Sequence, residues 1–150
     1  MAWIRRGAGM TAIAMAVMLC AGMAALAQQD AIKARQAAMK ANGQALKSID
    51  RIIRADGNPA DVLAPANKIA DIAAQIPSLF PPGSNGGKTE ADPAIWQKFD
   101  DFAAKAANLQ SQARMLAAAA QTGDLAIVRA QFDKMVQGCG DCHKSYRHRS

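Results

Sequence analysis

The sequence predicts an all-α fold, an antiparallel up-down-up-down four-helix bundle. Three observations carry the prediction. The composition is rich in Ala, Gln, Lys and Arg and holds only 5% aromatic residues, which favours helix. Apolar residues recur at three-four spacing in four separate blocks. The connections between the blocks are mostly short, as helices packed against their chain neighbours require. No segment alternates as a half-buried strand does.

Residues 1–27 are set aside first. Arg5 and Arg6 precede an apolar run from Met10 to Leu26, and Ala25-Leu26-Ala27 closes it. A charged start, a short apolar core and a small-residue exit are the parts of a secretory leader. The rival is a retained anchor, but about 17 apolar residues is the lower edge of a bilayer span. A lipid anchor at Cys20 is disfavoured by the bulk of Leu19 before it. The expected organisation is a cleaved signal peptide, 1–27, and a single exported domain, 28–150, with no membrane contact after cleavage. Loss of Arg5 and Arg6 lowers the formal charge from +6 to +4, and loss of Cys20 leaves two of the three cysteines. The remaining basic residues are scattered apart from Lys144, Arg147, His148 and Arg149, so no nucleic-acid partner is expected.

The first block places Ile32, Met39, Leu46 and Ile53 in one heptad position and Asn42 and Ile49 in the other. It stops at Asp56-Gly57-Asn58-Pro59, a strong turn signal. The second carries Val62, Ile69, Ile72 and Ile76 and ends at Pro77. A loop rich in Pro and Gly runs on to Asp92. The third opens with Asp92 as N-cap and Pro93 at the first helical position. Its seam is Ile95, Phe99, Phe102, Ala106, Leu109, Ala113, Leu116 and Ala120. Gly123 closes this helix and Asp124 caps the next. The last seam reads Leu125, Val128, Phe132, Met135, Cys139, Cys142, Tyr146. A second stripe on the first helix, Ala31, Ala34, Ala38, Ala41 and Ala45, lets a helix approach closely, either within the bundle or from a second copy in a homodimer.

Cys139-Gly140-Asp141-Cys142-His143 is the C-x-x-C-H pattern of c-type haem attachment. Two thiols can add across the two vinyl groups of one haem. Positions i, i+3 and i+4 share a helix face, so His143 can reach the iron from the side on which the thiols bond. A thioredoxin-like dithiol would need a strand-helix-strand unit. Zinc would need four ligands, and only Cys139, Cys142, His143 and His148 are on offer. A plain disulfide explains neither His143 nor the seam.

With this motif close to the C-terminus of four helices, the chain resembles the class II c-type cytochromes, the cytochrome c prime family. The resemblance spans the mature chain and includes Arg35-Gln36-Ala37-Ala38-Met39-Lys40, Pro93-Ala94-Ile95-Trp96 and His143-Lys144-Ser145-Tyr146-Arg147. It implies one haem c within the bundle, a bacterial periplasmic setting and frequently a homodimer. It also implies that Met39 faces the iron, either as a ligand in a low-spin electron carrier or as an apolar block over a five-coordinate iron that binds NO or CO. A thioether suits both, and the heptad alone would place an apolar residue there. The expected reading is one-electron transfer with redox partner proteins, His143 proximal and Met39 distal, with the gas-binding form as the alternative.

Family precedent pairs Arg35 with a haem propionate, for which a guanidinium is well shaped. A solvated charge is the plainer reading. Arg147, at i+4 from His143, can sit near the outward ring nitrogen and raise the reduction potential. Gly43, at i+4 from Met39, gives either clearance for the porphyrin edge or a bend. Trp96, Phe99 and Phe102 read as core or haem-edge packing. No enzymatic turnover is expected, since the only histidines are His143 and His148, the only glutamate is Glu90, and no nucleophile-base pair stands out.

Overall fold

The computed structural model describes the backbone of residues 8–148 and the side chains of residues 26–148. The expected leader, 1–27, therefore falls almost wholly outside the residues with described side chains. Five helices follow in order: α1 (Ala8–Arg54), α2 (Leu63–Gln75), α3 (Ala94–Gln97), α4 (Phe99–Gln121) and α5 (Leu125–Tyr146), with short 3-10 turns at Pro59–Val62 and Ile76–Leu79. Four of them make the bundle. α2 packs chiefly on α4, α4 on α5, and α1 on α2. Among the described residues no helix is long and apolar enough to cross a membrane.

The helix ends follow the sequence signals. Asp124 Oδ1 accepts from the backbone N–H groups of Ala126 and Ile127 at 2.8 and 3.3 Å. Gly123 takes φ +75°, the left-handed turn that ends α4 without a side-chain clash. At the close of α1 the left-handed residue is Asp56, φ 48°, rather than its neighbour Gly57. An aspartate tolerates this conformation better than most residues.

The third block differs from expectation. Asp92 does cap it, accepting from Ala94 N–H at 2.8 Å, but the helix breaks after one turn at Lys98, φ −128° and ψ 47°. The break lets Phe99 swing outward. It is 38% exposed and meets the aromatic cluster only at Phe102, ring centroids 6.0 Å apart, so it packs at the edge of the core and does not line the cavity. Phe102, Trp96 and Phe80 do pack together, with Phe102 and Phe80 edge to face at 4.8 Å.

The buried residues form two clusters along the bundle. Ile49, Ile53, Val62, Ile69, Leu116, Val128 and Met135 fill one half solidly. In the other half Ile76, Phe80, Ile95, Phe102, Ala106 and Tyr146 line a core with Met39, Trp96, Leu109 and Cys142 packed at its margin. That second half is hollow.

Candidate functional site

The hollow is a cavity of about 790 Å³ between α1, α4 and α5, closed at one side by the loop before α3. That volume is in the range of cofactor sites. Cys139, Cys142, His143 and Arg147 of α5 line it together with Arg35, Met39, Asn42, Gly43 and Leu46 of α1. The three-four register explains both sets. Residues 139, 142, 143 and 146 share one face of α5, and 35, 39, 42 and 46 share one face of α1. All six of the residues named from the sequence as haem contacts thus border a single space.

The two cysteines are free thiols. Burial pushes the Cys139 thiol above its usual pKa, and Cys142 adds to the shift. Burial does the same to Cys142, with Lys105 opposing. Both therefore stay protonated near neutral pH, the reverse of the lowered thiol that a redox-exchange dithiol uses. Among the described residues no group of three or more His, Cys, Asp or Glu is placed to hold a bare metal ion, and His148 is drawn off to Asp92 at 3.2 Å. Among the described residues the zinc reading finds no fourth ligand. His143 is pushed below its usual pKa by desolvation first, then by Arg147, with Glu90 opposing. A neutral ring keeps a lone pair for an iron.

Arg35 is not the solvated charge of the plainer reading. It is 3% exposed. Its Nη1 donates to Ser84 Oγ at 3.1 Å, and its Nη2 donates to Ser84 O at 2.9 Å and Thr89 Oγ1 at 2.8 Å. The guanidinium also stacks 5.0 Å from the Phe80 ring and 5.8 Å from Trp96. No carboxylate pairs with it among the described residues. A buried cation held only by neutral groups favours an anion beside it, as a haem propionate would provide.

Arg147 faces a partner that the sequence did not reveal. Its Nε donates to Glu90 at 2.6 Å, across a short bridge between Ala91 and Arg147 that ties the loop to the end of α5. Lys144 pairs with Asp141 at 3.1 Å. Within the described part of the basic tail, then, each charge has an acidic neighbour. Ser84 and Thr89 carry no signal in the sequence and Glu90 stands out only as the single glutamate, so Pro and Gly punctuation is all that marks the segment.

Gly43 borders the cavity, and a Cβ built on it meets nothing within 4 Å. Of the two readings of this glycine, clearance is the one that the geometry favours.

Residues 30–147 match the family described as Cytochrome C'. The chain belongs to the cytochrome c' family. A cytochrome c' of Rhodopseudomonas palustris is 36% identical over 141 residues, covering 90% of this chain and 92% of that protein. The cytochrome c' of Thermochromatium tepidum superposes with a TM-score of 0.76 at 31% identity, over 81% of this chain and 97% of that one. A nitric oxide complex of a variant cytochrome c' from Alcaligenes xylosoxidans superposes with a TM-score of 0.73 at 29% identity, over 81% of this chain and 97% of that one. Cytochromes c' are four-helix bundles that bind covalent haem c. The cavity fits that group: an apolar hollow, two thiols on one wall, and a buried guanidinium with no carboxylate partner among the described residues.

Proposed function

We propose that this cytochrome c' is exported to the periplasm without residues 1–27, holds one haem c through Cys139 and Cys142 with His143 as axial ligand, and takes up a small gas such as NO or CO on the α1 side. The observation that carries the reading is the contrast between the two walls. The α5 wall offers two thiols and an imidazole, whereas the α1 wall around Gly43 is open space bordered by Met39, Asn42 and Leu46. A haem held there by Cys139, Cys142 and His143 would supply a one-electron iron couple and a coordination position for a small gas. Leu46, Ile76, Phe102 and Leu109 exclude water, Arg35 balances a propionate, and the neutral His143 ring presents its lone pair.

The family match and the nitric oxide complex of the Alcaligenes neighbour support this form over the methionine-bound carrier expected from the sequence. Met39 keeps the second reading alive, because its thioether stands partly buried on the α1 wall. Absorption spectra of the exported protein, oxidised and reduced, separate the two. A broad high-spin spectrum that changes with CO or NO supports the gas-binding form, and Met39→Ala then speeds gas entry without altering coordination. A sharp low-spin spectrum that becomes gas-sensitive only in Met39→Ala establishes methionine ligation instead.

Arg147 and Glu90 are proposed to set the reduction potential as a pair. Arg147→Ala leaves the Glu90 carboxylate uncompensated near His143 and lowers the midpoint. Glu90→Gln leaves the cation and raises it. Each shift stays below ~60 mV, the one-electron equivalent of ~1.4 kcal/mol, since the two side chains are 52% and 49% exposed and screened by solvent. Potentiometric titration checks the opposite signs, and an unmoved midpoint in both variants removes the role. The exposed Ala34, with Ala31, Ala38 and Ala41 only partly covered, supports a second copy packing on α1.

A further inference from the structure

The chain holds five asparagines, Asn42, Asn58, Asn67, Asn85 and Asn108, and two of them stand before glycine. In that pairing the side-chain amide is most open to attack by the next backbone nitrogen, because glycine has no Cβ to hinder the approach. The fold treats the two pairs differently. Asn42 is 7% exposed, and Gly43 lies inside α1, where its N–H is bonded four residues back. Asn85 and Gly86 lie outside any helix, and both are exposed. Among the described residues the Gly86 N–H has no hydrogen-bond acceptor, whereas those of Ser84 and Thr89 on either side do. Asn67 and Asn108 are helical, and Asn58 precedes Pro59, which has no N–H to attack with.

We propose that Asn85 is a site of spontaneous deamidation, and that its product lengthens and loosens the strap of residues 84–92 beside the cavity. This does not depend on what the cavity holds. Gly86 N attacks Asn85 Cγ, the Cγ–Nδ2 bond breaks, and Nδ2 leaves as ammonia with the Gly86 amide proton. Water then opens the cyclic imide at one carbonyl or the other. The products are aspartate and, with the main chain rerouted through Cγ, isoaspartate; water is the only co-reactant. Isoaspartate adds one main-chain carbon between Ser84 and Thr89. The Arg35 guanidinium clamps both ends of that span. Ser84 is the firmer end, since its Oγ also donates to Pro81 O at 2.8 Å and its N–H to the same carbonyl at 3.2 Å. The extra length therefore draws Thr89 away from Arg35. Residue 85 is exposed, so the added negative charge is screened by solvent, and the longer main chain is what acts.

The test holds the full chain, purified after export, in mildly alkaline buffer for several weeks, with Asn85→Gln and freshly prepared Asn85→Asp alongside. Peptide mapping by mass is expected to find conversion at Asn85 at least about a hundredfold faster than at Asn42, because freeing the Gly43 N–H requires α1 to open. In denaturant the two sites are expected to convert at similar rates, which isolates the fold as the cause. Hydrogen exchange in residues 84–92 is expected to be about tenfold faster in the isoaspartate fraction and within about twofold of the starting protein in Asn85→Asp. Asn85→Gln is expected to keep its mass and its exchange over the same period. Native protein in which Asn85 lasts as long as Asn42 overturns the proposal. So does an isoaspartate fraction that exchanges like the starting protein. An Asn85→Asp variant that exchanges as fast as that fraction overturns it too, since charge alone would then loosen the strap.

Discussion

Replacing Cys139 and Cys142 together by serine is expected to yield exported protein with no covalent haem and a melting temperature lower by roughly 10–20 °C. The argument starts from the hollow half of the bundle. Met39, Leu46, Ile76, Phe102 and Leu109 all border the cavity, and without a bound group their inner faces meet water. Full burial of such a side chain is worth ~1.5–3 kcal/mol. If each loses about a third of that, the deficit is ~3–5 kcal/mol, a large part of the ~5–15 kcal/mol that holds a domain together. At a few degrees per kcal/mol for a chain of this size, the stated fall follows. The solid half around Ile49, Ile69, Leu116 and Met135 should keep its helices, so circular dichroism should show loss of cooperativity before loss of helix. A double variant that melts within about 3 °C of wild type would show that the cavity closes on itself, and that the bound group contributes little to stability.

Arg35→Ala is expected to destabilise the haem-loaded protein by ~3–4 kcal/mol. Three hydrogen bonds from the guanidinium hold Ser84 and Thr89 against α1, and the cation lies over two aromatic rings. Ser84 is 1% exposed, so its carbonyl has no water to replace Nη2. Hydrogen bonds to a charged group are worth ~1.5–3 kcal/mol each, and because all three share one side chain the total falls below their sum. Arg35→Lys should recover less than half of the loss, since an ammonium cannot fork to both residues. Denaturant unfolding measures the stability, and hydrogen exchange should show faster opening of residues 84–92. A loss under ~1 kcal/mol with the loop still protected would mean that Arg35 is not its anchor.

The parts of this protein that were legible from sequence are those that repeat. Val128, Met135, Cys142 and Tyr146 lie on one continuous seam of α5, and all face inward as the three-four spacing requires. The same spacing put Met39 and Asn42 on the cavity face of α1, and the C-x-x-C-H run brought its own geometry because i, i+3 and i+4 coincide on a helix. The break at Lys98 left no mark, since Pro93 starts a helix equally well for one turn or for seven. Ser84, Thr89 and Glu90 were illegible for another reason. Their partners lie 49, 54 and 57 residues away, in a loop with no period to fix which of its side chains turns inward. The plain alternative for Arg35, a solvated charge, failed there, because the loop that buries it has no signature in α1.

The most direct test of the account is the intact mass of the exported protein together with its reduced absorption spectrum. The expected result is a chain beginning at Gln28, heavier by one haem that resists acid-acetone extraction, with a c-type spectrum that is lost in the Cys139→Ser, Cys142→Ser double variant. An exported chain of unmodified mass and no visible absorption, from a host that attaches haem to other c-type cytochromes, would contradict it.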